Sequence, residues 1–328
     1  MNKTIFQKIS VVAVIASIIT PLFSCHPDGP EDFIDYVYDA GNMGGGNKNT
    51  NNWSYPTSKP QELWAGSGSS YDPYIIKTAQ DLANLAYMVN NSNSYEYTYF
   101  KLDRSIDLNY GISVNEYSSN AKEWTSIGNT YNQFKGNFDG NSYTIDGLYK
   151  NSLFGYIYNG SIKNLTMGTG YIYSYSYNVG SIAVYIYNTT ISNCINNGTI
   201  VSSSYGYSGG LVGKMENSKI SSSYNYVTVS STNGAAGGIV GYMSDSSSIS
   251  NSYNYATVSS SSYGYAGGIA GIMYNSSISY SYNYSDISST YGTAGGIVGY
   301  ADHNSYCSGC YNYGYVSGST TDKIIGNR

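Results

Sequence analysis

Gly210-Leu211-Val212-Gly213 belongs to a series of short apolar pairs closed by glycine. The pattern returns as Leu153-Phe154-Gly155, Ile239-Val240-Gly241, Ile269-Ala270-Gly271 and Ile297-Val298-Gly299. Ile182-Ala183-Val184 fills the slot between Leu153 and Leu211, and Ile324-Ile325-Gly326 starts another unit. The intervals are 29, 29, 28, 30, 28 and 27 residues. A fixed period of this length marks a repeat architecture, in which each unit buries its apolar face against the next.

Other positions keep step with the marker. Asn159, Asn188, Asn217, Asp245, Asn275 and His303 form one column. Ile162, Ile191, Ile220, Ile249 and Ile278 form a second, followed by the small residues Cys194, Ser223, Ser252, Ser281 and Cys310. Asn196, Asn225, Asn254, Asn283 and Asn312 come next, and Ile200, Val229, Val258, Ile287 and Val316 close each unit. The segments between Gly/Asn/Ser turns are short and β-branched or aromatic, with no helix-length period. A unit of about 28 residues fits one coil of a parallel β-helix, where like side chains stack about 4.8 Å apart. A leucine-rich repeat would need recurrent Leu, and a propeller blade a period of roughly 40 residues. The expectation is an all-β, right-handed parallel β-helix, its hand following the preference of parallel crossovers.

The core Gly210-Leu211-Val212-Gly213, with relatives starting at Gly238, Gly268 and Gly296, resembles the GLUG-motif proteins. The likeness extends from about residue 60 to 328. It includes Tyr71-Asp72-Pro73-Tyr74-Ile75-Ile76 and the block Phe134-Lys135-Gly136-Asn137-Phe138-Asp139-Gly140-Asn141. It implies a right-handed β-helix of bacterial surface, adhesin-like proteins, some with a separate peptidase domain. Such a motif speaks to architecture rather than to activity.

Thr78-Ala79-Gln80-Asp81 reads as a helix N-cap with an acid three residues on, and Leu82, Leu85, Ala86 and Val89 share one helical face. A helix over 78–89 would cap the first coil and shield its open edge. Four segments follow: a leader over 1–24, a Gly/Asn-rich tether over 25–60, a cap with irregular first coils over 61–149, and regular coils over 150–328. In the leader, Lys3 and Lys8 precede an apolar run from Val11 to Ile19, too short to span a bilayer comfortably. Leu22-Phe23-Ser24-Cys25 resembles a bacterial lipobox, which implies lipidation of Cys25, a membrane anchor, and display at the outer membrane or cell surface.

Charged residues make up 11% of the chain, so solubility rests on Ser, Asn, Gly and 41 Tyr. Fifteen of the 20 acids precede Lys150, and no Lys/Arg run exists, which excludes a nucleic-acid footprint. Without residues 1–24 the formal charge goes from −5 to −7. No cofactor is expected. His26 and His303 are the only two histidines, and neither a His-Glu-x-x-His motif nor a nucleophile elbow is present. A carbohydrate-active enzyme on a β-helix would need paired carboxylates; Glu216 with Asp245, or Asp139 with Asp146, are the pairs available. Asp302, His303, Cys307 and Cys310 carry metal-ligand character, against a local disulfide or two core-filling thiols. Cys194 and Cys310, four coils apart at about 19 Å, are too distant to bridge.

Tyr224, Tyr253, Tyr282 and Tyr311 form one aromatic column, and Tyr226, Tyr255, Tyr284 and Tyr313 another. Strand alternation puts both on the side opposite the intervening Asn. The pair of columns reads either as a stacked ladder that stabilises the sheet or as a face that binds a glycan or a protein on a host or cell surface. The functional expectation is a binding or adhesion module rather than an enzyme, with a passive spacer as the remaining alternative.

Overall fold

Ile191 pairs with Ile220, Ile220 with Ile249, and Ile249 with Ile278, each strand lying parallel to its equivalent one coil on. This is the register that the repeat demands. The computed structural model describes residues 53–60, 64–175, 177–322 and 324. They form a parallel β-solenoid of about 9 turns, with coils of about 29 residues and very little helix. The expected leader, Cys25 and most of the expected tether lie outside the described residues.

Three sheets run along the unit that holds these residues. The first has nine strands and carries the isoleucine column, with Phe100 and Phe138 taking that column's place in the early coils. The second, of 17 strands, carries the Tyr-Asn segments and the closing β-branched segments. The third has six strands and begins at each apolar marker, pairing Val212 with Val240 and Val240 with Ala270. Ile162, Ile191, Ile278, Leu211, Ile239, Ile269 and Ile297 are fully buried, so both periodic aliphatic columns point into one core.

The corners explain the remaining columns. Asn159, Asn188, Asn217, Asp245 and Asn275 have φ between 43° and 58°, the left-handed region that Asn and Asp tolerate best among non-glycine residues. Behind the next corner the small residues stack inward. Cys194 N donates to Ser223 Oγ at 3.2 Å, Ser223 N to Ser252 Oγ at 3.3 Å, and Ser252 N to Ser281 Oγ at 3.2 Å. Serine recurs there because these buried amides face no carbonyl of the next coil and need an acceptor.

The marker glycines answer a different constraint. A methyl on Gly241 would sit 2.8 Å from Gly213 O and from Ser208 N, and one on Gly237, which precedes the motif, would sit 2.0 Å from Val240 O. Backbone packs directly on backbone where the third sheet meets the short segments Ser208–Gly209 and Ala236–Gly237. Beyond those segments lies a small second core of Val229, Ala236, Val258, Ala266, Ile287 and Ala294. One member of the closing column differs from expectation. Val201, not Ile200, pairs with Val229, and Ile200 is 41% exposed. One additional residue separates Asn196 from the closing position in that coil, which moves Ile200 to the outer face.

The cap forms as its sequence demands. Helix α1 spans Ala79–Asn90, and the side chain of its N-cap Thr78 accepts from Asp81 N at 3.0 Å. The Asp81 carboxylate in turn accepts from Thr78 N at 2.9 Å. Leu82, Leu85, Ala86 and Val89 are all fully buried. The packed region also takes in residues that the composition assigned to the tether. Trp53 is 4% exposed, its indole N–H donates to Leu108 O at 2.7 Å, and its ring lies 5.5 Å from that of Trp124.

Candidate functional site

The eight column tyrosines stand on the outer side of the second sheet. Tyr224, Tyr253, Tyr282 and Tyr311 stack at 5.0, 5.3 and 5.7 Å. Tyr226, Tyr255, Tyr284 and Tyr313 stack at 4.9, 4.8 and 5.0 Å, and Tyr255 and Tyr284 are only 3° from parallel. The two columns stand side by side at about 6.4 Å. These separations are close to the strand spacing itself, so each inner ring is covered by its neighbours on both faces. Edges and hydroxyls are left to face outward. Burial raises the pKa of Tyr224, Tyr253, Tyr282 and Tyr284, and it pushes Tyr226, beside Tyr224, up to about 12.

The intervening asparagines point the other way. Asn225 Nδ2 donates to Asn254 Oδ1 at 2.9 Å, Asn254 to Asn283 at 2.7 Å, and Asn283 to Asn312 at 2.6 Å. Asn196, Asn225, Asn254 and Asn283 are fully buried, so their amides are committed to the interior ladder and offer no contact to a ligand. A Tyr/Asn face is therefore a Tyr face.

A second aromatic surface lies on the third sheet, where the repeat columns do not reveal it. Tyr156, Tyr185, Lys214, Tyr242, Ile272 and Tyr300 follow one another in register, with Tyr158, Tyr187 and Glu216 two residues further along their strands. Lys214 Nζ lies 2.7 Å from Glu216 Oε1, 5.6 Å from the Tyr185 ring centre and 5.2 Å from that of Tyr242. The Tyr185 hydroxyl donates to the other oxygen of Glu216. Tyr207 stacks on Tyr242 at 4.8 Å. Other rings here are tilted: Tyr185 makes 53° with Tyr156 and 61° with Tyr158. Tilting leaves ring faces partly uncovered, unlike the ladder.

Charges on this face are balanced. Burial works against ionisation of both partners, yet the Glu216 carboxylate keeps the Lys214 ammonium above its usual range. Lys214 and the Tyr185 hydroxyl likewise hold the Glu216 carboxyl below the usual carboxylate range. The pair was hidden from periodic reasoning because Lys214 stands where neighbouring coils carry Tyr185 and Tyr242, so no residue type repeats.

The carboxylates of both candidate pairs are engaged by other groups. Glu216 is occupied by Lys214 and Tyr185, while Asp245 sits at a left-handed corner and accepts from Ser244 Oγ at 3.0 Å. Asp139 lies on the first sheet, 3.4 Å from Lys163, whereas Asp146 lies on the second and accepts from Thr169 N at 3.0 Å. Asp302 closes a corner, accepting from Ser305 Oγ at 2.5 Å and Asn275 N at 3.0 Å, and His303 is exposed. Among the described residues no three His, Cys, Asp or Glu are grouped to hold a metal ion.

No family model matches the chain. In fold it is similar to a protein from Bacteroides ovatus described as a "putative immunoglobulin A1 protease", at 24% identity and a TM-score of 0.61, over 80% of this chain and 79% of that one. A second structure, described as "IgA1 Protease", matches at 19% identity and a TM-score of 0.55 over 77% of this chain and 21% of its own. Among curated sequences, a "Putative Gly-rich membrane protein" of Evansella cellulosilytica is 34% identical over 115 residues. The match takes in 33% of this chain and spans only 12% of that relative's length. No described helix is long and apolar enough to cross a membrane. In fold the chain is thus a parallel β-solenoid, similar to the two structures described above.

Proposed function

We propose that the chain is a surface binding module, anchored to the outer membrane through lipidated Cys25, that recognises a glycan or a cell-surface protein through its tyrosine faces. The observation that carries this reading is the neutral Lys214–Glu216 pair set among tilted tyrosine rings on the third sheet. Tilted rings offer CH–π and edge contacts, and a balanced ammonium–carboxylate pair offers donors and acceptors without net charge, a combination suited to an uncharged polyol such as a neutral glycan. The tyrosine ladder adds a broad rank of phenolic hydroxyls on another side. Coil length varies by only three residues, so either surface is open and shallow rather than a walled pocket.

A glycan and host-protein array read with the full chain tests this. Binding is expected to a neutral glycan or surface protein, with affinity lost in Lys214→Met/Tyr242→Ser, in Tyr253→Ser/Tyr255→Ser/Tyr282→Ser/Tyr284→Ser, or in both. Melting temperatures of the same variants separate lost contact from lost fold. An array without ligands, or a ligand bound equally by both variants, would overturn the proposal. Cleavage of immunoglobulin A1 or release of product from a polysaccharide panel would replace it with an enzymatic reading. Unchanged membrane association and lipid labelling of Cys25→Ala would remove the anchor.

A further inference from the structure

Cys307 takes the place of Ile278 in the isoleucine column, with which it pairs in register, and Cys310 takes the place of Ser281 in the inward serine column. Both columns face the core, so a corner brings the two side chains together from its two arms. The corner is Cys307-Ser308-Gly309-Cys310, with Gly309 left-handed at φ 64°. Earlier coils turn the same way at Asn251 and Tyr280, with φ of 48° and 46°. Cys310 Sγ lies 3.5 Å from Ile278 O and 3.6 Å from Ser308 O, and the Cys307 thiol is the neighbour that acts on it most strongly. Both residues are partly exposed, unlike the fully buried Cys194.

We propose that Cys307 and Cys310 are an oxidisable dithiol that closes as a disulfide across the corner of this coil. Only two residues separate them, so closure restricts the unfolded chain little and the bond acts as a reversible switch rather than a staple. Its chemistry is thiol–disulfide exchange with a protein disulfide donor. One thiolate attacks a donor sulfur and expels a donor thiolate; the second Cys thiolate then attacks the mixed disulfide and releases the other. Two thiols here lose two protons and two electrons, and the donor disulfide gains them as a dithiol. The Cys307 thiol is the largest influence on Cys310, and against the opposing effect of burial it lowers that thiol to about 7, where a substantial share is thiolate at neutral pH. Burial instead raises the Cys194 thiol to about 12 and leaves it inert.

The test treats the full chain with a thioredoxin-fold disulfide donor, alkylates, and maps chymotryptic peptides. Cleavage after Tyr306 and Tyr311 releases both cysteines in one short peptide. The expected result is loss of two hydrogens from that peptide, with no alkyl group added and full reversal by dithiothreitol, while the Cys194 peptide stays unoxidised. Cys307→Ser and Cys310→Ser should each trap a mixed disulfide at the remaining thiol instead. Doubly alkylated peptide after oxidant, with circular dichroism showing an intact fold, would overturn the proposal. So would equal oxidation of Cys194.

Discussion

Asn225 Nδ2 donates to Asn254 Oδ1 at 2.9 Å and also to Val227 O at 2.9 Å, so one buried amide ties two coils and a turn together. Asn254 repeats the arrangement toward Asn283 and Ala256 O. Replacing Asn254 by Ala removes these bonds and strands one proton of Asn225 and the oxygen of Asn283. A loss of about 3 kcal/mol is expected from unsatisfied buried groups of this kind. Urea unfolding followed by circular dichroism measures it; a variant within about 0.5 kcal/mol of the parent would show that the ladder is energetically idle.

The tyrosine ladder sets an alkaline limit. Burial raises its pKa values above the unfolded value of about 10, so the neutral phenols stabilise the fold fully below pH 10. That contribution falls away as pH climbs through the folded values, for Tyr226 about 12. Ultraviolet tyrosinate titration is expected to lag for the ladder and then coincide with loss of β signal. Tyr226→Phe/Tyr255→Phe should hold its structure to higher pH. Ionisation of every tyrosine as one class near pH 10 with the fold intact would contradict this.

Lys214→Met isolates Glu216. Glu216 is held below its usual pKa in the folded chain, so its contribution is present above about pH 4.5 and is lost as pH falls through the lower folded value. Without Lys214 its pKa should rise toward the usual range in an NMR titration, flattening the acid limb of stability. For a partly exposed pair the cost at neutral pH should stay under about 1 kcal/mol. A Glu216 titration that does not move would mean that the contact does not persist in solution.

Gly237→Ala places a methyl 2.0 Å from Val240 O and 2.6 Å from Gly271 N. Backbone must shift to admit it, at about 3 kcal/mol. Because each coil touches only its neighbours, hydrogen exchange should quicken in the coils beside Gly237 and stay slow near helix α1. Uniform acceleration across the whole solenoid would show a longer-range coupling than nearest-neighbour stacking.

The fold was legible wherever one residue type recurs in one environment. Ile191, Ile220, Ile249 and Ile278 meet the same core, and Thr78 with Asp81 spells a helix start that needs no tertiary information. Ile200 misled because β-branched residues stand side by side at 200 and 201, and an extra residue decides which turns inward. Trp53 was lost to its Gly/Asn-rich surroundings, although indole burial has nothing to do with neighbouring composition. The tyrosine ladder could be located from the sequence, but not the direction of its ring faces, which depends on stacking between coils. The Lys214–Glu216 face was illegible for the opposite reason: its meaning lies in a break from the repeat, where Lys214 interrupts a tyrosine row.

Gly237 pairs with Gly267, and every column steps from one coil to the next without crossing others. A chain lacking residues 238–267 would join Gly237 to Gly268 and still bring Ile to Ile, Asn to Asn and Tyr to Tyr. Length is thus quantised in units of one strand spacing, about 4.8 Å per copy. Recombination between near-identical coils can lengthen or shorten such a protein, and change how far it reaches, without inventing a new way to pack.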